Sequence, residues 1–324
     1  MISLGIETSC DETSASLVKD GRIILSNIIA SSLKLHQKYQ GIIPEIAARA
    51  HIEYISLVVE QSLKEAGKKI SDIGLVCVTK SPGLIGSLLV GISFAKGLSY
   101  ALKKPLIGVN HLEAHLYASF LKSTVPALPF IGLVVSGGHT SLFLVSRKFS
   151  FKTIGSTVDD AAGEAFDKVA KILKLGYPGG PLVEQIAKSG NPKSVKLSCM
   201  GSGDLDFSFS GIKTAVLYKS QAAGHRPQVA DMAASFQRSV VEALVEKSFL
   251  ACALSRIKTL VIGGGVSGNK YLQNRFKEEA RERNINVYFP GPGLSLDNAA
   301  MIAGLGYQLY KQGKRSNYYL GPEV

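Results

Sequence analysis

Leu4-Gly5-Ile6-Glu7-Thr8-Ser9-Cys10-Asp11-Glu12-Thr13-Ser14-Ala15-Ser16-Leu17-Val18 is a short apolar run, a polar turn and a second apolar run. Residues 4–8 and 14–18 read as strands around the turn. The pattern returns half a chain later. Residues 130–135, then Ser136-Gly137-Gly138-His139, then residues 140–145 again read as strand, turn, strand. At an offset of 127 residues, Ser9, Thr13, Ser14, Leu17 and Val18 meet Ser136, Thr140, Ser141, Leu144 and Val145. A duplicated unit is therefore expected, one copy opening each half of the chain.

Outward from the first hairpin, residues 23–30 read as a third strand. A helical period starts at Pro44 and ends at Gly67. Strands at 75–79 and 106–109 flank a helix running to about residue 102, and a helix follows from His111 to residue 121. In the second half, helices are expected at 161–173, after the Gly/Pro loop 176–181, and at 230–255. Residues 191–211 read as irregular. A buried strand at 259–262 runs into Gly263-Gly264-Gly265, and a helix, a strand at 287–289 and a last helix from Asp297 to 310 follow. Alternating strands and helices predict an α/β protein. Half-chain hairpins of this kind resemble the actin-like ATPase (ASKHA) fold, two duplicated RNase H-like lobes whose turns face a nucleotide cleft. The expected lobes are 1–126, completed by the helix 297–310, and 127–296, with a basic tail at 311–324.

The chain has 324 residues, 46% of them hydrophobic and 19% charged, which describes a folded protein and excludes a disordered one. The apolar stretch 83–95 is too short to span a bilayer, so no membrane association is expected. The start of the chain does not read as a secretory signal, and Cys10, Cys77, Cys199 and Cys252 lack CxxC spacing. A cytoplasmic location is expected. The net charge is +12, although residues 1–60 carry five Lys/Arg against seven Asp/Glu. A basic excess in the rest of the chain suits a polyanionic partner such as nucleic acid, and equally a merely basic surface.

His111 and His115 lie four residues apart, on one face of a helix and just after a strand. That spacing suits two imidazoles on one metal, and also ordinary polar packing. The segment His111-Leu112-Glu113-Ala114-His115 is not the zinc-protease motif, because Glu113 sits two residues after His111, about 200° round the helix. Asp297 is the candidate third ligand, with a helix N-cap as its competing role. The turns at Val134, Val135, Ser136, Gly137 and Gly138 and at Gly263 to Gly265 let backbone amides approach a phosphate. Neither fits a Rossmann or P-loop pattern. Asp160, Glu164 and Asp167 share a helix face, where three acids are expected to meet ligand hydroxyls.

The segments GIETSCDET (5–13), GIIPEIAARAH (41–51), NHLEAH (110–115), VSGGHT (135–140), DAAGEAFDK (160–168), DFSFSG (206–211) and GGGVS (263–267) resemble the bacterial and mitochondrial-type TsaD family over residues 2 to about 307. The resemblance implies transfer of threonylcarbamoyl from threonylcarbamoyl-adenylate to N6 of adenosine 37 in tRNAs reading ANN codons, with release of AMP. It implies one divalent metal, iron foremost and zinc as the alternative, on His111, His115 and Asp297. Catalysis would fall to His111, His115 and Ser136. Val134, Val135, Ser136, Gly137 and Gly138 would hold the adenylate phosphate or the threonyl part, and Asp167, Gly180, Glu184 and Asn269 the ribose and base. Partners would be tRNA and either TsaB- and TsaE-type proteins or a second copy of the chain. Glu184 departs from the family's usual Asp, and Leu294-Ser295-Leu296 from a common Cys-Thr pattern before the ligand Asp. The competing readings are an actin-like ATPase or sugar-kinase-type phosphotransferase, a metalloprotease, and a scaffold without catalysis.

Overall fold

Two five-stranded sheets organise the computed structural model of the chain, which describes residues 1–39, 41–121, 125–199, 205–221 and 227–323. Parts of the irregular stretch 191–211 and of the loop 123–129 lie outside the described residues. Two compact units are present, Met1–Val125 with Pro290–Val324, and Pro126–Phe289.

The first unit contains β1 (Ile2–Glu7), β2 (Glu12–Lys19), β3 (Ile23–Ser31), α1 (Leu33–His36), α2 (Pro44–Glu65), β4 (Ile73–Ser81), α3 (Ile85–Leu102), β5 (Leu106–Asn110), α4 (His111–Tyr117) and, after the second unit, α10 (Ala299–Lys311). Its sheet has the order β3-β2-β1-β4-β5, with the hairpin antiparallel and β4 and β5 parallel to β1. Leu4, Ile6, Ala15 and Leu17 bury one face with Ile55, Val58, Leu88 and Ile92 of α2 and α3. The other face is small, which lets α10 lie directly on it: a Cβ on Gly5 would overlap the Ala299 carbonyl oxygen. By length and composition α3 is apolar enough to cross a membrane (18 residues, mean hydropathy 1.4). Here its Leu88, Ile92 and Ala95 belong to the core of this unit.

The second unit contains β6 (Phe130–Val135), β7 (Thr140–Val145), β8 (Phe151–Ser156), α5 (Ala162–Ile172), α6 (Gly179–Ala187), α7 (Ser210–Gln221), α8 (Val229–Ser255), β9 (Thr259–Gly263), α9 (Lys270–Glu282) and β10 (Asn286–Tyr288). Its sheet order is β10-β9-β6-β7-β8. From the hairpin outward this is the first sheet again, with the same strand directions. Register agrees as well. Leu4 pairs with Leu17 and Glu7 with Ser14; 127 residues on, Ile131 pairs with Leu144 and Val134 with Ser141. Phe166, Phe207, Phe209, Phe236, Phe249 and Phe276 fill the core around the 27-residue α8.

Besides the single-turn α1, two elements escape the sequence pattern. β8 is an edge strand paired only to β7, and its Lys152 and Thr153 are exposed, so no apolar alternation marks it. α7 buries only Ile212 and Val216, too little for a helical stripe to stand out.

Candidate functional site

β5 delivers the histidines. Its last residue, Asn110, accepts hydrogen bonds from the amides of Leu112 and Glu113 and so caps α4. His111 and His115 then stand one turn apart, 6% and 0% exposed. Their Nε2 atoms are 3.1 Å apart. Asp297 Oδ1 lies 3.4 Å from Nε2 of His111 and 3.1 Å from Nε2 of His115. Ligands bound at about 2.1 Å to one ion stand about 3.0–3.4 Å from each other, so the donor set fits a single metal. Two imidazoles and one carboxylate, with further positions open, are the donors of mononuclear iron(II) sites and also acceptable to zinc. The Asp297 side chain is 21% exposed, so a substrate would approach from its side. Asp297 does not serve as the cap of α10. Asn298 takes that role, accepting from the Met301 amide, and the Asp297 carboxylate is left for the histidines.

Glu7, missed by the sequence reading, orients His111. It is 0% exposed at the end of β1. Its carboxylate accepts from the Ser9 amide at 2.6 Å, the Thr79 hydroxyl at 2.7 Å and His111 Nδ1 at 2.8 Å. Three donors offset the cost of burying the charge. A proton held on Nδ1 leaves the Nε2 lone pair facing His115 and Asp297. The one available signal was an acid at the end of an otherwise apolar buried strand. His51 holds the following turn: its Nε2 donates to the Cys10 carbonyl, and its Nδ1 accepts from Thr13. That gives the 41–51 segment a structural role.

The field here is negative. Burial opposes charge on His111, but Asp297 and Glu7 outweigh it and push its pKa well above the imidazole range. Burial and the neighbouring His111 charge push His115 down. Asp297 is held well below the carboxylate range, the two histidines overcoming its burial. Burial, with Asp11 and Asp297 nearby, pushes Glu12 up to about 9. A cation is what such a cluster is built to receive. Glu113 is not part of it; burial lifts its pKa to about 7, and its charged neighbours are Lys314 and Lys80.

In the second unit the turn after β6 closes with the Ser136 amide on the His139 carbonyl and the His139 amide on Ser136 Oγ. Val134 and Val135 are buried strand residues behind it, while Gly137 and Gly138 are exposed. A Cβ at either glycine would meet nothing within 4 Å. Among the described residues their amides have no acceptor, so the turn presents free N–H groups, as an anion site requires. Gly163 packs so closely that its Cβ would strike the Ser136 carbonyl, which seats the start of α5 under the turn. Gly264, at φ 90°, packs against the Val135 backbone in the same way.

Asp167 accepts the Gly179 amide at 2.7 Å at the start of α6, and burial raises its pKa. Glu184, further along α6, accepts the Lys270 amide at 2.8 Å. Asn269 caps α9 and donates to Gln237. Gly180 has open space where a Cβ would stand. Asp167 thus lies midway along α5, Gly180 in the first turn of α6, Glu184 midway along α6 and Asn269 just before α9, tied together by the Asp167–Gly179 and Glu184–Lys270 hydrogen bonds. The expectation for the three acids is corrected in part. Asp160 stands before the first turn of α5, and Lys168 takes it at 2.6 Å and Glu164 at 2.8 Å, so both acids already have a cation within the protein, while Oδ2 of Asp160 has no hydrogen-bond partner among the described residues. The preceding Asp159 anchors the start of α7 through the amides of Phe209 and Ser210.

A family model described as tRNA N6-adenosine threonylcarbamoyltransferase, TsaD, matches residues 23–304. The chain belongs to the TsaD family. A relative of that name from Dictyoglomus turgidum is 54% identical over 99% of this chain and 97% of its own length. Another from Thermodesulfovibrio yellowstonii is 50% identical over 99% and 98%. Among solved structures, full-length HypF in a phosphate- and nucleotide-bound form aligns with TM-score 0.65 at 15% identity, covering 96% of this chain and 46% of that one. The ROK hexokinase from Thermus thermophilus gives 0.55 at 13% identity, covering 97% and 99%. At such identities the likeness establishes the fold alone, and that fold is of the ASKHA type, as the paired hairpins led us to expect.

Proposed function

We propose that this TsaD-family chain transfers threonylcarbamoyl from threonylcarbamoyl-adenylate to N6 of adenosine 37 in tRNAs reading ANN codons, releasing AMP. The observation that carries the reading is the His111, His115 and Asp297 donor set at the carboxyl end of β5, in a chain about half identical along its length to transferases of that name. These three residues would hold one divalent ion, iron foremost and zinc as the alternative, which when bound supplies Lewis acidity toward a carbonyl or phosphate oxygen. The Gly137 and Gly138 amides and the Ser136 hydroxyl would hold the adenylate phosphate and stabilise charge developing on the departing AMP. Val134 and Val135 would fix the turn's place. Asp167, Gly180, Glu184 and Asn269 would hold the ribose and base. An exocyclic adenine amine is a weak base, so alignment and departure of AMP matter more than a strong general base. The work would take place in the cytoplasm, with TsaB- and TsaE-type proteins or a second copy of the chain as protein partners.

The test is incubation with unmodified tRNA and labelled threonylcarbamoyl-adenylate, with and without the partner proteins. Label in tRNA supports the reading. Folded, metal-loaded protein that labels no tRNA under any combination would overturn it in favour of an ATPase role.

Two further results are expected at the metal donors. Glu7→Gln should weaken metal binding about 10- to 100-fold, the usual cost of losing an orienting partner behind a ligating histidine. Chelator competition measures this without reference to turnover, and unchanged affinity would remove Glu7 from the role given to it. Metal affinity should also rise with pH across the neutral range. The raised pKa of His111 means a proton occupies the metal-free site and must leave when metal enters. In the metal-free protein the same ion pair is fully present below the ordinary imidazole range, fades as pH rises through the raised folded pKa of His111, and is lost on the acid side only as pH falls through the lowered pKa values of Asp297 and Glu7. A pH-independent metal affinity would contradict this.

A further inference from the structure

Two stretches of the chain carry cations and no acid. Residues 73–112 hold Lys80, Lys96, Lys103 and Lys104; residues 298–322 hold Lys311, Lys314 and Arg315. The fold joins them. α3 ends at Lys103, which is left-handed, and the C-terminal tail returns along β5, with Ser316 bridging Leu106. Tyr100 and Tyr318 meet there edge-on, ring centroids 5.8 Å apart and planes at 75°. They remain 73% and 50% exposed, and the next residue, Tyr319, is 94% exposed. Tyr100, Tyr318, Ala101, Lys103 and Lys104 line a shallow pocket of about 540 Å³. Lysines after a helix C-terminus are accounted for by the helix dipole. Three solvent-facing tyrosines beside them are not, because each leaves a ring face in water and adds little to the core.

We propose that this surface binds an unpaired stretch of the tRNA, with a base stacked on the tyrosines and the adjoining phosphates on Lys103 and Lys104. The proposal rests on the tRNA-modifying function above. Aromatic rings beside cations are the recognition chemistry of single-stranded nucleic acid, since every base offers a π face and every nucleotide one negative charge. A paired helix keeps its base faces stacked away; the flanking acids Glu323 and Glu113 are matched by Lys80, paired to Glu323 at 2.7 Å, and by Lys314, so the charge offered to the backbone is that of Lys103 and Lys104. The surface lies at the start of β5 and the metal donors follow its end, so about 17 Å of strand separates them. Binding should therefore change without the chemistry.

The experiment compares Tyr100→Ala/Tyr318→Ala, Tyr100→Phe/Tyr318→Phe and Lys103→Ala/Lys104→Ala with the wild type, using an unmodified tRNA transcript. Filter binding is measured over a range of salt, alongside transfer kinetics with the partner proteins. The alanine pair of the tyrosines should weaken tRNA binding about tenfold and raise KM for tRNA with kcat unchanged. The phenylalanine pair should bind like wild type, because stacking needs the ring and not the hydroxyl. The lysine pair should flatten the dependence of log K on log salt by about 2. Tyr100, Lys103 and Tyr318 are exposed and Lys104 half-buried, and the thermal midpoint of each variant checks its fold. If wild type binds and modifies tRNA while both alanine pairs match it in affinity and salt slope, the proposal fails and the function stands. If wild type neither binds nor modifies tRNA, both fall together.

Discussion

Replacing His111 and His115 together by alanine is expected to empty the metal site and lower threonylcarbamoyl transfer at least about a thousandfold, the scale of losing several kcal/mol of transition-state charge stabilisation. Two of the three convergent donors disappear, and Asp297 alone cannot retain an ion against water or buffer. The single variants should separate metal loss from fold loss. Removing His111 strips Glu7 of its charged partner and leaves a carboxylate of 0% exposure with only the Ser9 amide and the Thr79 hydroxyl. Breaking a buried pair on one side costs on the order of 3–5 kcal/mol. Removing His115 leaves Glu7 untouched, because its Nδ1 has no hydrogen-bond partner among the described residues, and takes from Asp297 only one of its two histidine partners. The cost there is a cavity, on the order of 2 kcal/mol. Metal content by elemental analysis should thus fall in both single variants, while thermal stability of the metal-free protein falls further in His111→Ala. A double variant that still labels tRNA at the wild-type rate would sink the assignment of the pair.

Gly5→Ala should be the most damaging small substitution in the first unit. The added methyl would overlap the Ala299 carbonyl oxygen and stand 2.8 Å from the Ala303 amide nitrogen, both backbone atoms of α10. A flexible side chain could move aside; a helix backbone cannot without lifting the whole first turn. That turn is held by the Ala299 amide donating to Ser14 Oγ at 2.9 Å, and it begins two residues after Asp297. The expected loss is about 3 kcal/mol or more, a fall of roughly 6–12 °C in Tm for a unit of this size. Metal affinity should fall with it, because Asp297 is carried away from the histidines. Gly97→Ala in α3 is the matched control. It meets nothing within 4 Å and should be neutral or stabilising by about 0.5–1 kcal/mol, as for any helix-interior glycine with free space. Equal stability of the two variants would show that α10 is not seated on β1 in the way described.

Much of this is legible in the amino-acid sequence. The two hairpins were found from five matched residues, and the same offset recurs in their strand register. The histidine pair was found because two residues four apart on a helix share a face whatever the surroundings. Other readings failed for want of a neighbour. Asp160 and Glu164 read as ligand-seeking acids in the sequence, but Lys168 of α5 contacts both, and Asp160 lies before that helix. Asp297 had two roles open to it, and the sequence could not choose, since Asp and Asn side by side can each cap a helix.

The order of elements, the duplication and the His111–His115 pair were determined by the sequence itself, because period and spacing are local properties that a few residues express on their own. The third ligand's freedom, the orienting role of Glu7 and the free amides of the Gly137–Gly138 turn were decided only in three dimensions. Glu7 faces His111 because β1 and β5 flank β4 as parallel strands of one mixed sheet, a pairing that no local pattern encodes. Asp297 reaches the histidines because α10 docks on a face kept small at Gly5. Strand order and helix docking bring together groups far apart in sequence, and the burial that results sets their protonation and therefore what they can bind.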